Sequence, residues 1–339
     1  MHSEGCCLQR YNVFFSAFGR AERDGSGTHH RLHSGAEGEW ALNLNLDAMT
    51  TETRNQATMN LDTMTPLEVV TAMNREDAKV PQAIEPLLPN IAKAVEWAID
   101  SLEKGGRLFY MGAGTSGRLG VLDAAECPPT FGVSPDLVVG LIAGGEKAFI
   151  KAVEGAEDSR DLGRDDLKEH NLTKDDLVVG IAASGRTPYV LGGLDYAREL
   201  GCRTVAISCN AGSAVGQAAD LAIEVVVGPE VLTGSTRLKA GTAQKLILNM
   251  ISTATMVGVG KAYQNLMVDV MQTNEKLHVR AEKIVMEATG VDRDTAKANI
   301  AAAGGSVKTA ITMILANCDA EEAKARLDKA RGHVREAIQ

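Results

Sequence analysis

The sequence predicts a doubly wound α/β sandwich, a parallel sheet covered by helices on both faces, followed by a small carboxyl-terminal helical bundle. Three observations carry this. Short apolar runs recur at residues 108–111, 138–142, 177–182, 204–208 and 221–227, and runs this short and this apolar belong to strands buried on both faces. Helix-length segments separate them, as parallel neighbours require. Beyond Lys239 the strand-like runs stop and only helical patterns follow.

Each element has a local reason. Residues 1–48 hold four of the seven histidines, two adjacent cysteines and a Gly/Ser/Arg-rich stretch at 19–38, and they read as an unpacked leader with Met49 as an alternative start. The apolar stretch 11–18 is short and follows Glu4 and Arg10 without a small-residue cleavage site, so a secretion signal is the weaker reading. Thr65-Pro66-Leu67-Glu68 has the capping hydroxyl, first-turn proline and returning glutamate of a helix start. An amphipathic helix is expected over 89–104, ended by Gly105-Gly106. Residues 246–259 are preceded by Lys245 and interrupted by Asn249, Ser252 and Thr253, which suits a buried helix rather than a membrane span. Further helices are expected over 268–288, 293–303, 307–317 and 320–338. The division expected is leader 1–48, α/β unit with amino-terminal helices 49–265, and helical domain 266–339.

Composition narrows the function. With 35 Lys+Arg against 44 Asp+Glu, the net charge is −9, which argues against a general affinity for nucleic acid or anionic membrane. Any anion site must come from placed groups. Cys6, Cys7, Cys127, Cys202, Cys209 and Cys318 form no C-x-x-C pair, and scattered thiols suit a reducing cytoplasm. Cys127, Cys202 and Cys209 read as small buried hydrophobes. Outside the leader only His170, His278 and His333 remain, without metal-ligand spacing, so no metal is expected.

Two strand-ending loops carry the chemistry. Gly112-Ala-Gly-Thr-Ser-Gly-Arg118 follows the first strand, and Ala183-Ser-Gly-Arg-Thr-Pro188 follows the third. Glycines admit a ligand close to the backbone, the helix start offers free N–H groups, and Thr115, Ser116 and Ser184 add hydroxyls; together these make an anion cradle. The first loop also spells G-x-G-x-x-G, but the acidic residue that would hold a ribose is missing, because Glu146 arrives too late and Asp136 precedes the strand. Neither loop continues as Gly-Lys-Ser/Thr. Two hydroxyl-rich turns suit a phosphate monoester better than a pyrophosphate.

A third stretch, Thr233 through Lys245, concentrates hydroxyls and cations and is placed to complete a sugar-phosphate pocket. In its structural reading, Thr and Ser cap the helix while Lys239 and Lys245 lie on the wet face. Glu126 precedes Pro128-Pro129, which predicts a helix end or bend there. Glu154, Glu157 and Asp158 make a second acidic cluster. Two carboxylates at one pocket can divide acid and base roles, although by composition alone such clusters are solvated faces.

These stretches, namely Gly112 to Leu119, Asp123-Ala-Ala-Glu-Cys-Pro-Pro-Thr130, Glu154-Gly-Ala-Glu-Asp-Ser-Arg160, Ala182 to Tyr189 and Thr233 to Lys245, closely resemble the bacterial N-acetylmuramic acid 6-phosphate etherase family. The resemblance begins at Glu52-Thr-Arg-Asn55 and runs to the carboxyl terminus. It implies a sugar isomerase (SIS) domain, a cytoplasmic homodimer, no cofactor, and removal of D-lactate from a small phosphosugar. By motif, Glu126 matches the acid that protonates the departing ether and Glu157 the second active-site glutamate, a base at C2. Thr115, Ser116, Ser184, Gly185, Arg186 and Thr187 match positions that hold the phosphosugar. Ala125 stands where some members carry Ser, beside an intact Glu126. The rivals are an aldose–ketose isomerase, which needs no acid at a C3 ether, and a phosphosugar sensor resembling the glucokinase regulatory protein, which has two SIS modules where one set of motifs occurs here.

Overall fold

β1 (Leu108–Gly112) alternates its side chains between two cores. Leu108 and Tyr110 face one hydrophobic cluster while Phe109 and Met111 face another, and all four are fully buried. The same division continues in β3 (Leu177–Ala182) and β4 (Arg203–Ser208), so the sheet is sandwiched as expected. β2 (Val138–Ile142) and β5 (Leu221–Glu224) complete a five-stranded sheet of order β2-β1-β3-β4-β5 with every pairing parallel. The computed structural model describes residues 49–151, 153–272 and 275–339; the leader, and the weak secretion reading with it, lies outside them.

Among the described residues the α-helices that precede the sheet are α1 (Pro66–Asp77), α2 (Val80–Ile84) and α3 (Leu88–Glu103). The capping box at Thr65 is present, with Glu68 accepting from the Thr65 N–H at 2.7 Å. Within and after the sheet come α4 (Gly114–Phe131), α5 (Lys147–Ile150), α6 (Arg160–Glu169), α7 (Pro188–Leu200), α8 (Ala214–Ala218) and α9 (Lys239–Gly258). Buried residues of α3, α4 and α9 pack on the Leu108 face, those of α6 and α7 on the Phe109 face. Because the chain runs from β1 out to β2 and returns to β3 on the other side, β1 and β3 flank a switch point, where α/β folds leave a crevice beyond the strand ends.

Several expectations need correction. α4 does not end at Pro128-Pro129 but continues to Phe131. The two missing N–H donors fall close to the end of the helix, which Gly132 closes in the left-handed conformation by donating to the Pro128 carbonyl. β5 stops at Glu224, three residues early, although Val225 and Val227 are buried, since apolar periodicity reports burial and not pairing. Strand structure also resumes after Lys239: β6 (Ala262–Tyr263) and β7 (Leu266–Met267) pair antiparallel. The helix expected from residue 268 starts instead at Glu275, as α10 (Glu275–Thr289). α11 (Arg293–Ala302), α12 (Val307–Ala316), α13 (Ala320–Lys329) and α14 (Val334–Ala337) follow, and with α10 they bury a third hydrophobic cluster. Among the described residues no single helix is long and apolar enough to cross a membrane.

Candidate functional site

The first turn forms because β1 hands over to α4 almost without a connection. Ala113 is the extended N-cap residue and no side chain caps the helix. A Cβ on Gly117 would lie 2.5 Å from the Gly112 carbonyl oxygen, so only glycine lets the helix start this close to the strand end. Ser116 is buried, and its hydroxyl donates to Gln244 Oε1 of α9 at 2.9 Å. Thr115 is half-buried and faces α9, where a Cβ on Gly241 would meet its Cγ2 at 3.6 Å. Arg118 turns away, its guanidinium donating to the carbonyls of Ala148 and Phe149.

The second turn leaves β3 at Ala182 and enters α7 with Pro188 at its first position. Gly185 has φ +75°, and a Cβ there would lie 2.4 Å from the Cβ of Ser213, so both backbone and space demand glycine. Its carbonyl accepts from the Val215 N–H. Asn210 Nδ2 lies 3.3 Å from the carbonyl oxygens of both Ala183 and Ser184, and the same side chain binds Thr51 through its N–H and its hydroxyl. Ser184 is half-buried, and its hydroxyl has no hydrogen bond among the described residues. Arg186 reaches the Met49 sulfur at 3.4 Å.

Glu157 is brought to this second turn. Its backbone carbonyl accepts from the Tyr189 N–H at 3.0 Å, and the buried Thr187 hydroxyl lies 3.4 Å from its Oε1. Glu126 is not drawn in this way. It stands exposed on α4, ten residues beyond Ser116 and so about 15 Å further along the helix, its carboxylate making no ion pair or hydrogen bond among the described residues. Its neighbour Cys127 is buried, and burial together with the charges of Asp123 and Glu126 pushes that thiol up to about 12, which makes it inert. Cys202 and Cys209 are buried as expected.

The third stretch divides. Glu52 lies beside Gly234, with its Oε2 3.6 Å from where a Cβ would stand, while Asn55 and Thr58 bond the carbonyls of Pro229 and Val231. The segment from Met49 to Thr58 thus joins the second turn to the loop before α9. Lys239 corrects the wet-face reading: it is 2% exposed and pairs with Glu76 of α1 at 2.5 Å, whereas Lys245 is exposed as expected. Burial opposes ionisation of Glu76, but the bonds from Lys239 and Lys79 outweigh it and hold its pKa below the usual carboxylate value. Nor does a hydroxyl cap α9. Buried Glu230 does so, accepting from the N–H groups of Lys239 and Ala240 at 3.0 and 2.9 Å. Sequence reasoning missed Glu230, Asn210 and Gln244; only Gln244 lay inside a stretch already singled out. A surface concavity of about 710 Å³, lined in part by Arg54, Asn55, Val231 and Thr233, includes none of the residues expected to hold phosphosugar or to act in catalysis.

Two hydroxyl-bearing turns close adjacent parallel strands at a switch point between helical layers, and matches to SIS-domain models place the chain among SIS-domain proteins. The model of the SIS domain matches residues 164–254, and that of the glucokinase regulatory protein N-terminal SIS domain matches residues 90–198. The chain is 65% identical over 293 residues to an N-acetylmuramic acid 6-phosphate etherase of an Exiguobacterium species, covering 86% of this chain and 100% of that one. It is 60% identical to the protein of that name from Halalkalibacterium halodurans, over 86% of this chain and 98% of the relative, and 61% identical to that of Pectobacterium atrosepticum, over 87% and 98%. The chain belongs to the N-acetylmuramic acid 6-phosphate etherase family.

Proposed function

We propose that this chain is a carbon–oxygen lyase that releases D-lactate from N-acetylmuramic acid 6-phosphate and leaves N-acetylglucosamine 6-phosphate, in the recycling of peptidoglycan amino sugars. The observation that carries the reading is 65% identity along the whole length of a curated etherase. Thr115, Ser116 and the Ser184–Thr187 turn hold the phosphate, whose binding energy aligns carbons remote from it. Ring opening exposes an aldehyde at C1 and acidifies the C2 hydrogen. Glu157, held by Thr187, takes that proton; Glu126 protonates the ether oxygen as the C3–O bond breaks. Lactate leaves, and water adds to C3 of the unsaturated aldehyde. The sum is a hydrolysis with no net oxidation, so acid–base groups suffice and no cofactor enters.

The working unit is a cytoplasmic homodimer in this reading. Supporting a second copy, Leu122 and Glu126 stand exposed one turn apart on α4, an apolar and an acidic side chain together. The test is incubation of purified protein with N-acetylmuramic acid 6-phosphate and measurement of free D-lactate, with and without chelator. Stoichiometric lactate in both is expected; no lactate in either rejects the reading.

A further inference from the structure

We infer that Gln244 is a positioning residue for the first turn, deciding through one buried hydrogen bond whether the Ser116 hydroxyl can donate to a bound phosphate. The inference rests on the reading of that turn as a phosphate site and adds a residue which that reading leaves out.

Ser116 lies in the first turn of α4 and Gln244 in the second turn of α9. They are 7% and 1% exposed, and the Ser116 hydroxyl donates to Gln244 Oε1 at 2.9 Å. Gln244 Nε2 is fully enclosed and has no hydrogen-bond partner. A buried amide N–H without an acceptor is costly, more so than a carbonyl lone pair left idle. Half a turn about the last side-chain bond exchanges Oε1 and Nε2 in nearly the same space. Nε2 then donates to Ser116 Oγ, and the serine keeps its own proton.

The two orientations are a closed and an open setting of one donor. In the closed setting the single Ser116 proton is committed to Gln244, and Oγ turns only lone pairs toward any anion. In the open setting Oγ accepts from the amide and donates outward, and a charge-assisted bond to phosphate stabilises that arrangement. Gly241 shares a face of α9 with Gln244, and a Cβ there would stand in ordinary van der Waals contact with Thr115 Cγ2 at 3.6 Å, so this face of α9 lies close against the first turn. Among the described residues no other group hydrogen-bonds the Ser116 hydroxyl.

The test is a double-variant cycle read by calorimetric Kd for N-acetylglucosamine 6-phosphate, with kcat for lactate release alongside. Gln244→Met, near in shape but unable to hydrogen-bond as an amide does, should weaken phosphosugar binding about tenfold and leave kcat within about twofold. Ser116→Ala should weaken binding at least as much, and the double variant no more than Ser116→Ala alone. Gln244→Glu, whose carboxylate only accepts, should hold the serine proton and weaken binding further than Met does. It also decides the matter if the Met variant fails to fold. Unchanged affinity in both Gln244 variants, with Ser116→Ala impaired, overturns the inference, as do effects that multiply in the double variant. Unchanged affinity in Ser116→Ala removes the phosphate turn itself and the inference with it.

Discussion

The two halves of the candidate site are built in different ways. The first turn is held from inside, because Ser116 is fastened to a core residue of α9 and its glutamate rides on the same continuous helix. The second turn is held by several buried residues from other segments, Asn210, Thr51, Ser213 and Val215, and its glutamate comes from a separate segment bonded to Thr187 and Tyr189. Glu157 can therefore be moved by a single side-chain change, whereas Glu126 moves only with α4.

The largest expected effect breaks the symmetry of roles. Glu126→Gln and Glu157→Gln should each lower D-lactate release about a thousandfold, within the range of acid–base groups, while calorimetric affinity for N-acetylglucosamine 6-phosphate changes less than about threefold. Full activity in either variant removes that residue from the reaction. Next, Gly185→Ala forces a Cβ against Ser213 at a positive φ; phosphosugar binding should weaken beyond about tenfold while the melting temperature falls by a few degrees. Equal affinity would mean that the second turn does not touch the ligand. Thr187→Val sharpens the comparison, since it frees Glu157 without disturbing its backbone. Steady-state kinetics should give a kcat about fivefold lower, with KM raised as well because Thr187 belongs to the turn that holds the phosphate.

The smallest effect lies beneath the first half. Asp123 of α4 is buried, with Asn249 and Ser252 of α9 donating to its Oδ1 and no partner on Oδ2. Burial raises its pKa, against the opposing bonds from Asn249 and Ser252. A carboxyl raised in the folded state stabilises below the unfolded value, near pH 4, and loses that contribution as pH rises through the folded value. Asp123→Asn should remove this slope, so its urea midpoint relative to the parent should climb between pH 4 and 7. A constant difference across that range would show that Asp123 does not titrate there.

The sheet was readable because strands covered on both faces carry a continuous apolar run; residues 138–142 and 177–182 match their strands at both ends. Helix α4 was misjudged at Pro128 because proline rules are local: the pair removes two N–H donors, but the φ that the ring fixes is a helical one, and the helix runs on to Phe131. Lys239 looked like surface because charge is normally solvated, and only its distant partner Glu76 explains its burial. The two turns were legible as glycine and hydroxyl clusters. Their supports were not, since Ser116 and Gln244 are separated by 128 positions and Asn210 and Thr51 by 159.

The ion pair between Lys239 and Glu76 joins positions 163 apart. Deleting the segment that precedes the sheet would strand an ammonium group inside an oily interior, at the root of the very helix that carries Gln244. Attempts to trim the protein to a minimal five-stranded catalyst should therefore stop short of residue 66, and a shorter version would need an uncharged residue in place of that lysine.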